Sequence, residues 1–275
     1  MNSLLKKPQI FPREIPDKEN NKNLNKVFLG EIPVNIISLQ EVLQYIEKII
    51  AEDKKSHQIV TLNSLMYNFT FKDGELKECI KNASLVLPDS IGICIACYIL
   101  SGYKLKRIPG IDLMLYLCRK AEKKNWKIFL LGTKPEIIPK TALNLKKFFP
   151  NINIAGFYHG YFEEKEEKEI IKKIEDIKPN IVFVGLDLPR QEKWIYTNLK
   201  KLKANIAIGV GGSFDVISGK LHRAPLFFRN AGIEWFYRFL QEPSRIKRIK
   251  DLPVFIWRIF LLKLKSLKIN PKEYI

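Results

Sequence analysis

Cysteine, histidine and methionine are scarce in this chain of 275 residues, which holds four, three and three of them. The four thiols, Cys79, Cys94, Cys97 and Cys118, have no disulfide-framework spacing, so free thiols in a reducing compartment are expected. Cys94 and Cys97 have the C-x-x-C spacing of a redox or zinc pair. There is no second pair, however, and the motif lies inside an apolar helical stretch, so packing is the better reading. His57, His159 and His222 are scattered and form no metal-ligand spacing. No apolar run approaches the roughly 18 residues that span a bilayer. The first residues also lack the apolar segment of a secretory signal, so a cytoplasmic or peripheral protein is expected. A G-x-G-x-x-G turn after the first strand is absent, which argues against a dinucleotide-binding oxidoreductase.

What the chain has in excess is positive charge, +18 with 46% hydrophobic residues. About half of that excess falls after residue 219, where 13 Lys and Arg face 4 Asp and Glu. Nucleic acid, an anionic bilayer and phosphorylated substrates are the partners such a segment suits. The chain divides into a polar, flexible extension over 1–25, an α/β core over 26–219 and a basic helical appendage over 220–275. In the core, apolar runs near VFLGEIPVNI, QIVTLN, SLVLPD, KIFLLG, NINIAGF, NIVFVGL and NIAIGV alternate with helical patterns of 10 to 16 residues. That alternation predicts βαβ units and a largely parallel sheet flanked by helices. After Ser218 strands cease, and Pro225, Pro243 and Pro253 punctuate two or three helices. The last, from about Val254 to Lys268, places Phe255, Ile259 and Leu262 on one flank among basic residues. It suits either a helix lying in a bilayer interface or a surface helix packed on the core.

Several strands end in polar or turn residues that run directly into a helix, at the carboxyl edge where open α/β sheets bind ligands. Thr61 and Asn63 end one strand and Asp89 ends the next, so neighbouring strands project polar groups over one edge. Asp89 follows an apolar strand. A desolvated carboxylate there has the raised pKa of a general base, although a plain helix cap accounts for the position equally well. Arg107 precedes the Pro109–Gly110 turn and is a candidate phosphate ligand. Arg190 and Gln191 stand at a strand-to-helix junction suited to a pyrophosphate. The turn of GVGGSFDVISG allows close approach to a ligand, with Asp215 as a hydrogen-bond acceptor.

The ordered set TLNS, LPDS, RIPGIDL, FLLGTKPE, GYF, VGLDLPRQEKWI, GVGGSFDVISG, RAP and IEWFYRFLQEPSRIKR resembles the WecG/TagA/CpsF family of bacterial glycosyltransferases, from about Val27 to Arg248. The resemblance implies a Rossmann-like α/β core of the GT-E type with a C-terminal appendage that docks on the membrane. It also implies transfer of N-acetylmannosamine or a related sugar, with inversion, from a UDP-sugar to undecaprenyl-pyrophosphate-N-acetylglucosamine. Such a step serves teichoic acid or other surface-polymer assembly at the inner face of the cell membrane. It puts the base on Asp89, the sugar and pyrophosphate pocket on Thr61, Asn63, Arg107 and Gln191, and the nucleotide end on Gly212 and Asp215. Arg238, Arg245 and Arg248 of the appendage would approach the phosphates. The chain departs from the family at Ser90, usually glycine, and at Asp187 and Leu188, usually small residues. No Asp-x-Asp occurs, so transfer without a metal or other cofactor is expected, with arginines and backbone amides meeting the leaving charge. Nucleic acid as the partner explains the charge but leaves the sheet-edge motifs idle, and it is not expected; a homo-oligomer is left open.

Overall fold

The structure, a computed structural model, describes residues 25–53, 55–242 and 250–268. The expected flexible extension falls, but for Asn25, outside the described residues, as do Arg245 and Arg248. The strands are β1 (Lys26–Leu29), β2 (Ile32–Asn35), β3 (His57–Leu62), β4 (Leu85–Pro88), β5 (Lys127–Gly132), β6 (Asn153–Tyr158), β7 (Ile181–Gly185) and β8 (Ile206–Gly209). The helices are α1 (Leu39–Glu52), α2 (Ser64–Phe69), α3 (Gly74–Lys81), α4 (Ile91–Ser101), α5 (Gly110–Lys124), α6 (Ile138–Phe148), α7 (Glu164–Ile177), α8 (Arg190–Asn198), α9 (Ser213–Ile217), α10 (Leu226–Asn230), α11 (Glu234–Gln241) and α12 (Asp251–Lys268).

Six strands form a parallel sheet in the order β4-β3-β8-β7-β5-β6. Alternation along the strands divides its two faces. Ile59, Leu85, Leu87, Ile128, Leu130, Phe183 and Ile208 pack on one side with residues of α1, α5, α6 and α9. Val60, Leu62 and Val86, and farther along Phe129, Leu131, Val182 and Val184, pack on the other. The helices carry their own start signals: Ser38 and Glu41 make a reciprocal capping box on α1, and Val42, Leu43, Ile46 and Ile49 turn one apolar stripe inward.

The run expected as the first strand of the sheet is instead a separate antiparallel hairpin, β1–β2. Gly30 has φ +62, a left-handed conformation that turns the chain back at Gly30–Glu31. The hairpin packs beside edge strand β4, where buried Asn35 accepts the Val86 backbone N–H at 2.8 Å through Oδ1. The single helix expected between β3 and β4 is two short ones, α2 and α3. The final helix begins at Asp251 rather than Val254, with Pro253 inside its first turn, where a missing N–H costs nothing. Its expected apolar flank packs on the core: Phe255 and Ile259 are buried with Val60, Leu62 and Tyr67, and Leu262 lies against them. The Arg258 guanidinium donates to the Asn68 backbone carbonyl and Oδ1, both at 2.9 Å. A second apolar face of α12 stays outside, with Ile256 60%, Trp257 59% and Phe260 50% exposed. Among the described residues no helix is long and apolar enough to cross a membrane.

Candidate active site

The carboxyl ends of all six parallel strands open into one cleft of about 970 Å³. Thr61, Asn63, Asp89, Arg107, Gln191, Gly212, Asp215 and Arg238 all line it. Small residues make room at this edge. Gly132 has φ +141 and lies so close to β7 that a Cβ there would stand 2.3 Å from the Gly185 carbonyl oxygen.

Asp89 follows β4, and its Oδ1 accepts the Gly110 N–H at the start of α5 at 2.7 Å. The carboxyl does not cap α4, a role taken by Ser90, whose Oγ accepts from Ile93 N at 3.4 Å. Burial pushes the Asp89 pKa up to about 6, aided by Glu234 and Asp112; the Gly110 N–H and the Arg107 charge pull it back. The carboxyl therefore ionises near neutrality, as a general base requires. Thr61 and Asn63 stand on the adjacent wall with their oxygens in use by the fold. Thr61 Oγ1 donates to the Gly209 carbonyl at 2.8 Å, and Asn63 Oδ1 caps α2 by accepting from Met66 N at 2.9 Å.

Arg107 joins the core to the last helices, meeting Glu234 Oε2 at 3.3 Å and donating to the Arg229 carbonyl at 3.2 Å. Arg223 pairs with Asp112 and lies 4.0 Å from Glu234 at the same joint. Across the cleft, Arg238 NH2 donates to the Gly212 carbonyl at 3.1 Å. Asp215 accepts from Thr133 Oγ1 at 2.8 Å and lies 3.4 Å from Lys220 Nζ. Arg190, expected beside a pyrophosphate, donates to the Gly160 carbonyl at 2.8 Å and stacks over the Phe162 ring at 4.4 Å. The upper wall is apolar and comes from α4 and α12, with Ile95, Ile99, Ile256 and Phe260.

All four cysteines are free and buried; burial lifts the Cys94 and Cys97 thiols to about 11 and 12, in keeping with the packing role. Sequence reasoning missed Glu192, Glu234 and Thr133. Glu192 was detectable: it lies three residues before Ile195 and six before Asn198, and so shares the buried inner face of α8, where an acid is out of place.

Known proteins resemble this chain over most of its length. A curated N-acetylglucosaminyldiphosphoundecaprenol N-acetyl-beta-D-mannosaminyltransferase of Staphylococcus aureus strain MW2 is 33% identical over 251 residues, 91% of this chain and 98% of its own length. The protein of the same name from strain MRSA252 is 34% identical over the same span. The profile of the Glycosyl transferase WecG/TagA/CpsF family matches residues 27–269, and by that match, which takes in every strand end lining the cleft, the chain belongs to this family.

Proposed function

We propose that this protein is an inverting hexosyltransferase that moves N-acetylmannosamine, or a closely related sugar, from UDP to undecaprenyl-pyrophosphate-linked N-acetylglucosamine in teichoic acid-type wall assembly. The observation that carries the reading is the Asp89 carboxyl, ionising near neutrality, set between a glycine-lined sheet edge and an apolar wall. As carboxylate, Asp89 takes the proton of the acceptor hydroxyl while that oxygen bonds to the anomeric carbon. The bond from that carbon to the diphosphate breaks on the opposite face, and its electron pair leaves with UDP. Arg107 and Arg238 line the cleft and supply the positive charge that meets the leaving diphosphate.

The acceptor is a lipid, and the apolar wall gives it an approach. The outward face of α12 (Ile256, Trp257, Phe260) continues into Ile95, Tyr98 and Ile99 of α4, which are also exposed, and Lys263 and Lys265 add positive charge. This is the profile of a surface that rests on an anionic bilayer.

The test is an assay of the full chain with a panel of UDP-sugars and a short-chain lipid-pyrophosphate-N-acetylglucosamine. Transfer from UDP-N-acetylmannosamine is expected, falling about 10²-fold or more in Asp89→Asn. No transfer from any UDP-sugar would overturn the reading.

A further inference from the structure

Glu192 is a carboxyl for which the reaction above has no use. It is 1% exposed at the floor of the cleft, next to Gln191 on α8. Its Oε1 accepts from Gln191 Nε2 at 2.6 Å, and its Oε2 has no hydrogen-bond partner among the described residues. Gln191 in turn accepts the Gly211 backbone N–H on Oε1 at 2.8 Å. The three groups form a relay with one allowed direction. The Gly211 backbone N–H can only donate, so the carbonyl end of the Gln191 amide must face it, and the NH₂ end is then left for Glu192, whether that carboxyl is charged or neutral. The fold keeps space for this pairing, because a Cβ on Gly209 would stand 2.3 Å from Gln191 Nε2 and 2.8 Å from Glu192 Oε1. Gln58 Nε2, reaching from β3, holds the Glu192 backbone carbonyl at 3.1 Å.

Among the described residues no cation pairs with Glu192, and only the Gln191 amide and its own backbone N–H favour its charge. On α3 the neighbouring Cys79 is held neutral, its thiol pushed up to about 12 by burial, and the Lys193 ammonium pairs with Asp73 and Glu75 at 2.7 and 2.8 Å. Burial accordingly lifts Glu192 itself to about 7.

We infer that Glu192 is a positioning residue of the donor subsite: it fixes the Gln191 amide, and through it the Gly211 turn, without touching the donor. The inference rests on the reading that a UDP-sugar occupies this cleft. If Glu192 acts in this way, its loss and the loss of Gln191 are one event, and a carboxamide in its place restores the acceptor oxygen.

The experiment measures UDP affinity by calorimetry, and KM and kcat for the UDP-sugar, in full-length wild type, Glu192→Leu, Glu192→Gln, Gln191→Leu and the double leucine variant. Glu192→Leu should weaken UDP binding and raise KM about 10-fold, the range expected for one buried hydrogen bond. It should still unfold cooperatively, with a folded population sufficient for the loss to be read in binding and not in folding. Glu192→Gln should return to within about 3-fold of wild type, and the double variant should bind no worse than Gln191→Leu alone. Wild-type binding with an unaffected Glu192→Leu, or losses that multiply in the double variant, would overturn this assignment alone. A wild-type chain that binds no UDP would overturn the nucleotide-sugar reading and this assignment with it.

Discussion

Replacing Asp89 with asparagine separates the cost of the carboxyl from its use. In the folded protein burial raises its pKa from 3.8 to about 6, so the native state binds this proton more tightly than the unfolded chain does. The stability linked to a raised acid is therefore complete below the unfolded pKa and declines as pH climbs through the folded one. From 3.8 to about 6, the charged form costs at most about 3 kcal/mol at pH 7 and about half of that at pH 5. Asparagine keeps an Oδ1 for the Gly110 N–H, now 2.7 Å from the carboxylate, and carries no charge. Asp89→Asn should thus be more stable than wild type by up to about 3 kcal/mol at pH 7, or roughly 5–10 °C in Tm for a chain of this size. The gain should shrink toward pH 5, while turnover collapses. Glu192, raised to about 7, is present in both proteins, and its contribution cancels in the difference. Equilibrium urea unfolding of both proteins at pH 5, 6 and 7 reads the effect. A variant less stable than wild type at pH 7, or a gain that does not change with pH, refutes the desolvated carboxyl; undiminished turnover refutes its role as base.

Gly132→Ala should lower the unfolding free energy by about 2–4 kcal/mol, because the new Cβ meets the Gly185 backbone oxygen at a φ of +141, and an unchanged denaturation midpoint would contradict that packing. Thr61→Val removes the hydroxyl that donates to the Gly209 carbonyl at 2.8 Å, so a loss of about 1–3 kcal/mol is expected. Reduced activity at full stability would instead give that hydroxyl to the substrate. Combined serine substitutions at Ile256, Trp257 and Phe260, all exposed, should leave the fold intact and abolish sedimentation with anionic vesicles; unchanged sedimentation would remove α12 from the bilayer contact.

The parallel sheet was legible because continuous apolar runs followed by helical patterns have few other solutions, and the order of strand then helix carries every strand end to one edge. Thr61, Asn63, Asp89, Gln191, Gly212 and Asp215 lie at or just after strand ends and meet for that reason, whereas Arg238, in a helix beyond the sheet, was expected there only from the family resemblance. The hairpin was not legible as such: VFLGEIPVNI reads as one apolar run until the positive φ of Gly30 divides it. Nor could spacing say which polar atoms the fold itself consumes. Thr61 bonds to a carbonyl 148 positions away, and Arg107 meets a glutamate 127 positions away, in a helix beyond the sheet. In α12 one apolar flank was visible, but a residue pattern has no way to say that Phe255 and Ile259 face the core while Ile256, Trp257 and Phe260 face outward.

The seating of α12 has a geometric consequence. Its inner side is held on the core by Phe255 and Ile259 and on α2 by the Arg258–Asn68 bonds, so it works as a fixed mount and not as a tether. If the proposed bilayer contact of Trp257 and Phe260 holds, the molecule would rest on that surface in one attitude, with Asp89 at a set height above it. An acceptor anchored in that surface must then present its hydroxyl at this height. The reach of its headgroup would become a selection rule that the sugar pocket alone does not impose.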